Sequence, residues 1–218
     1  MKDWTKDEIR DALKLYAVTD RSWLRGRSFE GVLSEALSVS GITCVQLREK
    51  QASAEEREVL ARQAQALCED AGVPFLIDDD VVLANRVGAD GVHIGQDDIS
   101  CEEARAILGL QAIIGVTAKT LDQALAAEAA GADYLGVGAV FPTSTKTDTW
   151  TIDHGELRRI CEAVSIPVVA IGGITAENAS ALVGTGVAGI AVVSAIFAQD
   201  DISSAVQRLS REAQKLKG

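Results

Sequence analysis

Proline is scarce in this chain, with Pro74, Pro142 and Pro167 the only three, and no low-complexity stretch or linker interrupts it. A Pro-rich spacer is therefore excluded. Aromatic residues are 4% of the total, too few for an exposed aromatic patch to announce a partner. Four cysteines, Cys44, Cys68, Cys101 and Cys161, form no CxxC pair. They read as reduced thiols, not as a disulfide frame. No apolar run approaches the roughly 18 to 20 residues of a membrane span, and the opening MKDWTKDEIRDALKLYAVTD has no apolar signal core. The expectation is a cytoplasmic protein with no membrane partner. Neither GxGxxG at the head of a βα unit nor GxxxxGK[ST] occurs, which disfavours nucleotide binding by those routes. Basic residues are the minority, 21 against 32 acidic, for a formal charge of -11. Nucleic acid is an unsuitable partner for such a surface. The same charge repels small anions at long range, so any phosphate site needs concentrated cations, backbone amides or a divalent ion.

Hydrophobic residues make up 47% of the 218, enough for one sizeable core. Short runs of Val, Ile and Leu alternate with longer segments of helical period, the pattern of parallel strands joined by crossover helices. Eight strands are expected, at Leu15 to Val18, Cys44 to Leu47, Phe75 to Ile77, Gly91 to Ile94, Ala112 to Val116, Tyr134 to Val137, Val168 to Ala170 and Gly189 to Val193. Helices are expected over Ala54 to Ala71, Leu121 to Ala130 and Ala176 to Val183, the last with Thr175 as its N-cap. Glycine ends a helix before the next strand in Ala71-Gly72-Val73-Pro74, Ala130-Gly131-Ala132-Asp133 and Gly184-Thr185-Gly186-Val187, echoes of one repeated unit. These features predict an α/β fold, a single (β/α)8 TIM barrel over residues 1–218 with a short N-terminal helix at about 5–13. An open doubly wound sheet is the alternative. Oligomeric state is left open, a homo-oligomer included.

In a parallel barrel, function gathers just after each strand. The second strand runs into Gln46-Leu47-Arg48-Glu49-Lys50, whose alternation directs Gln46, Arg48 and Lys50 the same way. That makes an anion pocket or a solvated pair of cations. Asp78-Asp79-Asp80 follows the third strand and His93-Ile94-Gly95-Gln96-Asp97-Asp98 the fourth. Clustered carboxylates suit Mg²⁺, which binds through one or two acids plus phosphate and water. Asp80 and Asp97 read better as helix N-caps, and His93 as a supporting residue within the strand. Thr117 and Lys119 follow the fifth strand. The loop from Phe141 to Asp148 is rich in hydroxyls and carries Lys146, so it could close over a phosphate. Gly172-Gly173 after the seventh strand and Ser194 after the eighth point to a phosphate cup. Two anion sites with acids between them suit the joining of two phosphorylated ligands better than isomerisation.

The stretches Tyr-Ala-Val-Thr-Asp, Gln-Leu-Arg-Glu-Lys, Gly-Val-His-Ile-Gly-Gln-Asp-Asp, Pro-Thr-Ser-Thr-Lys and Ile-Gly-Gly-Ile-Thr stand in one order between Tyr16 and Ala198. In order and spacing they resemble the thiamine phosphate synthase family. The resemblance implies a transferase of thiamine biosynthesis that condenses 4-amino-5-hydroxymethyl-2-methylpyrimidine diphosphate with a thiazole phosphate, giving thiamine phosphate and diphosphate with Mg²⁺ as cofactor. It implies that diphosphate leaves first and that the thiazole nitrogen captures a pyrimidine-stabilised cation. By position, Gln46 would contact the pyrimidine, Arg48, Lys50 and Lys146 would hold diphosphate, and Asp79 and Asp98 would ligate the metal. Thr143, Thr145, Gly173, Val193 and Ser194 would surround the thiazole phosphate, with Arg48, Lys50, Thr117 and Lys146 nearest the reacting bonds. Three positions depart from the pattern: Asp78 stands for a usual Asn, Thr117 for Ser and Lys119 for His. An acceptor at 78 beside a polyanion calls binding efficiency into question. A thiazole tautomerase-like paralogue and a non-catalytic phosphate-binding barrel are the competing readings.

Overall fold

The computed structural model describes residues 4–143 and 151–216. Its strands are β1 (Leu15–Val18), β2 (Cys44–Leu47), β3 (Phe75–Asp78), β4 (Gly91–Ile94), β5 (Ile113–Ala118), β6 (Tyr134–Gly138), β7 (Val168–Ile171) and β8 (Gly189–Val192). Each pairs in parallel with the next, and β8 pairs with β1 through Leu15 and Ile190, closing a barrel. The closed barrel agrees with the expected fold and excludes the open sheet. Helices α1 (Lys6–Ala12), α2 (Phe29–Leu37), α3 (Ala54–Ala71), α4 (Val81–Val87), α5 (Cys101–Leu108), α6 (Leu121–Ala129), α7 (His154–Ala163), α8 (Ser194–Phe197) and α9 (Ile202–Ala213) complete it. Among the described residues, no helix is long and apolar enough to cross a membrane.

Strand residues alternate between two cores, as a period of two requires. Val45, Leu47, Phe75, Ile77, Val92, Ile94, Leu135 and Val137 face the helices in one large cluster. Tyr16, Cys44, Leu76, Ile113, Tyr134 and Val169 fill the barrel interior with Ile9 and Leu13 of the N-terminal segment. The N-terminal helix thus plugs the end of the barrel where the strands begin. Thr43 Oγ1 fixes the plug by donating to the Ala12 carbonyl at 2.9 Å and accepting from the Leu15 amide at 2.8 Å.

Helix boundaries follow their caps. Ser53 and Glu56 form a capping box that starts α3, and Gly72 ends it at φ 69°. The expected N-cap role of Asp80 is observed, its Oδ1 accepting from the Leu83 amide at 2.9 Å. Asp97 does not cap; Ser100 does, three residues later, in a box with Glu103. The helix expected over Ala176 to Val183 is only a 3-10 turn, Ala179–Leu182. Asn178 takes the Thr175 amide at 2.8 Å and gives to the Gly173 carbonyl at 2.9 Å, so local side-chain bonds replace the first helical turn.

Candidate active site

The ends of β2 to β5 form one sector of the barrel mouth. Gln46 is buried in β2, and the alternation expected for Gln46, Arg48 and Lys50 is consistent with their partners. The Arg48 amide donates to Thr19 Oγ1 at 3.1 Å, and its Nε lies 3.7 Å from Asp78 Oδ2. Lys50 Nζ lies 3.1 Å from the same oxygen and also pairs with Asp79. Burial pulls the Lys50 ammonium down, but the hydrogen bond to Asp79 and the charges of Asp78 and Asp79 outweigh it, leaving the group above its ordinary value. Asp79 sits at φ 61°, a left-handed conformation that swings its carboxylate out of the strand line. Asp78, placed where a neutral amide was expected from the family pattern, sits between two cations, its side chain only 10% exposed.

Asp98 reaches the same sector from the loop after β4, where its Oδ2 accepts the Gly95 amide at 2.6 Å. Burial raises its pKa, the Gly95 bond lowers it, and the adjacent Asp79 raises it again, for a net upward shift. Two carboxylates in contact call for a cation or a proton. Among the described residues no group of three or more His, Cys, Asp or Glu could hold a metal by itself. The Asp79 and Asp98 pair nonetheless fits a hard ion that takes its remaining ligands from phosphate and water.

Beneath the mouth lies a polar chain that sequence reading missed. Gln46 Nε2 donates to Tyr16 Oη at 2.7 Å, and Tyr16 Oη lies 3.0 Å from Tyr134 Oη. Tyr134 Oη lies 2.9 Å from His93 Nδ1, and His93 Nε2 lies 2.9 Å from Thr117 Oγ1. His93 thus bridges Tyr134 and Thr117. Glycine makes room for these rings: a Cβ at Gly115 would stand 2.0 Å from Tyr134 Cζ, and one at Gly136 2.8 Å from His93 Cε1. The available signal was that Tyr16, Gln46, His93, Thr117 and Tyr134 all occupy inward strand positions, with small residues opposite.

The ends of β6, β7 and β8 form the other sector. Val140 and Phe141 donate to the carbonyls of Ile171 and Gly172 at 3.0 and 3.1 Å, seaming the β6 and β7 loops. Gly173, at φ 66°, packs so closely that an added Cβ would meet the Pro142 carbonyl oxygen at 2.3 Å. This seam sets Pro142, the residue before Thr143, against Gly173. Val193 and Ser194 follow β8 at the start of the short α8, which has no side-chain cap. Thr145 and Lys146, and the neighbouring Ser144, lie outside the described residues. Lys119 follows β5, its amide donating to Gln123 Oε1 at 2.8 Å.

A closed parallel barrel with cations and acids on one side of its mouth and a glycine-lined seam on the other defines a class of small-molecule enzyme scaffold. The model of the thiamine monophosphate synthase family matches residues 15–196. The thiamine-phosphate synthase of Alkaliphilus oremlandii is 46% identical over 195 residues, 89% of this chain and 93% of that protein. Thiamine-phosphate synthase 2 of Streptococcus pneumoniae serotype 4 is 46% identical over 198 residues, covering 91% and 94%. The solved thiamine phosphate pyrophosphorylase from Pyrococcus furiosus superposes with a TM-score of 0.88 at 40% identity, covering 96% of this chain and 100% of that one. The chain therefore belongs to the thiamine monophosphate synthase family.

Proposed function

We propose that this protein is a transferase of thiamine biosynthesis that joins 4-amino-5-hydroxymethyl-2-methylpyrimidine diphosphate to thiazole phosphate, releasing diphosphate. Family membership supports the reaction, and the single observation that carries it to this site is the cation and acid cluster of Arg48, Lys50, Asp78, Asp79 and Asp98. A protein handling thiazole phosphate alone would have no use for that cluster.

In this reading Asp79 and Asp98 hold Mg²⁺, which supplies charge neutralisation for the departing diphosphate. Arg48 and Lys50 bind the diphosphate oxygens, the Arg48 backbone held by Thr19 and both side chains exchanging Asp78 for the substrate. Lys146, from the β6 loop, adds a third cation. Gln46 holds the pyrimidine above the interior chain, and Thr117 offers its hydroxyl toward the leaving group. Thr143, Thr145, Gly173, Val193 and Ser194 seat the thiazole phosphate on the opposite sector, placing its ring nitrogen for capture of the pyrimidine cation. In this reading none of these groups attacks the substrate; they stabilise separating charge and fix approach.

The test is to incubate the protein with both substrates, with Mg²⁺ or with EDTA, and follow thiamine phosphate and diphosphate together. One-for-one, metal-dependent formation of both is expected. Arg48→Ala or Lys146→Ala should lower kcat/KM for the diphosphate substrate by about a hundredfold or more, the scale of a lost charged contact. Wild-type turnover by both variants would overturn the assignment.

A further inference from the structure

Residues 48–53, between β2 and α3, carry Arg48 and Lys50 past the end of the strand. Two ties reach them from the loop after β1. In the first, the Thr19 amide donates to the Gln46 carbonyl at 2.9 Å while Thr19 Oγ1 accepts the Arg48 amide at 3.1 Å. In the second, Arg21 Nε donates to Glu49 Oε2 at 2.7 Å. Arg21 opens a 3-10 turn, Arg21–Trp23, whose start is fixed by Asp20 Oδ1 accepting the Ser22 amide at 2.9 Å. The second tie therefore has an ordered base.

Glu49 alternates with the two cations, and its side chain lies against the helix-facing core. It lines a cavity of about 140 Å³ that Leu47, Ile77 and Leu83 of that core also line. Its side chain is 5% exposed, and among the described residues its Oε1 has no hydrogen-bond partner. A half-satisfied buried carboxylate stabilises a fold poorly beside a neutral side chain of its shape. Such a local conflict is expected where a site needs it.

We infer that Glu49 and Arg21 are positioning residues whose ion pair holds the backbone of residues 48–50, so that Arg48 and Lys50 face a diphosphate together. The effect on diphosphate rests on the proposed function; the hold on the loop does not. Without the pair, Thr19 still ties Arg48, but Lys50 two residues on loses its nearest anchor. Its ammonium keeps Asp78 and Asp79 as partners in place of substrate.

Glu49→Ala and Arg21→Ala each cut the tie, while Glu49→Gln keeps an acceptor for Arg21 Nε. Binding of inorganic diphosphate with Mg²⁺, read by calorimetry, should weaken at least about tenfold in either Ala variant. The double variant should lose no more than the single ones, because all three remove one interaction. Glu49→Gln should stay within about threefold of the wild type, and KM for thiazole phosphate should not change in any of them. Amide hydrogen exchange at residues 48–50 should quicken in the Ala variants, with β2 itself unaffected. Arg21 is partly exposed, so Arg21→Ala serves alone if Glu49→Ala does not fold. Undiminished diphosphate binding by the Ala variants overturns the inference, as do losses that multiply in the double variant. Exchange that quickens throughout β2, with both KM values raised, would mean general loosening and also overturns it. A wild type that binds no diphosphate, with exchange at 48–50 quickened as stated, would remove the proposed function and leave the hold on the loop standing.

Discussion

In the proposed reading, Asp78 competes with the diphosphate for Arg48 and Lys50. Its Oδ2 lies 3.1 Å from Lys50 and 3.7 Å from Arg48, so a diphosphate must displace a carboxylate before it gains both. Asp78→Asn should lower KM for the pyrimidine diphosphate about threefold to tenfold, the effect of freeing roughly 1 kcal/mol of partly buried ion pairing. The same change should lower the melting temperature, since Arg48 is mostly buried and loses its counter-charge. A rise in KM in steady-state assays would mean that Asp78 organises the cations instead of occupying them. Glu49, one residue before Lys50, titrates with a definite sign. Its side chain is buried, with one oxygen 2.7 Å from Arg21 Nε and the other unbonded. Burial pushes its pKa above 4.5 against the pull of Arg21. A raised folded value means that its stability contribution is complete below about pH 4.5 and is lost as pH rises through the folded value. Glu49→Gln should therefore raise the melting temperature at pH around 8, with the gap closing near pH 4. Lower melting temperatures for the variant at both would show that the Arg21 pair outweighs the burial cost.

At the scale of elements, what was legible were the strands, since Val- and Ile-rich runs between helical segments have no other use in a chain of this composition. The ends were less so: β5 begins one residue later than expected and runs on to Ala118, because pairing with β6 continues through Thr117 and Ala118. Residues Arg48, Asp79 and Asp98 could be picked as chemistry because they follow strands, and Gln46 because it shares their alternation at the end of β2. The links from Gln46 through Tyr16, Tyr134 and His93 were not picked, because a buried Tyr or His on an inward position reads as core until its partners on other strands are known. Arg105 shows the same limit. From α5 its guanidinium donates to the Ala112 carbonyl at 2.5 Å, the Gly131 carbonyl at 3.1 Å and Asp133 at 2.7 Å, while Asp133 also accepts the Ile114 amide at 2.7 Å. In the sequence it is one more helix-surface cation. Arg105→Ala should cost about 2 to 4 kcal/mol in chemical denaturation, as the loss of a charged hydrogen-bond hub does, with both KM values unchanged because the hub lies where β5 and β6 begin.

For the whole molecule, closure and function use opposite ends of one barrel. Substrates are expected at the strand C-termini, while the other end is sealed by the N-terminal helix, with Ile9 5% and Leu13 2% exposed against the interior cluster of Tyr16, Ile113 and Tyr134. The sequence indicates a helix near residues 5 to 13 but not its task, since Ile9 and Leu13, spaced by one helical turn, suit any amphipathic surface helix. Removing the plug opens the floor on which the tyrosines stand. Ile9→Ala and Leu13→Ala should each destabilise the protein by about 2 to 4 kcal/mol through lost burial and the cavity left behind. Because the two side chains share one cluster, their combined loss should depart from the sum of the single losses. The active end gives the sharper expectation: at temperatures where the single variants remain folded, kcat and both KM values should match the wild type, since the mouth is built from loops after the strands. A variant with full thermal stability would mean that the helix rests on the barrel without sealing it. A stable variant with a raised KM for the pyrimidine diphosphate would mean that the plug sets the position of Tyr16 and, through it, of Gln46.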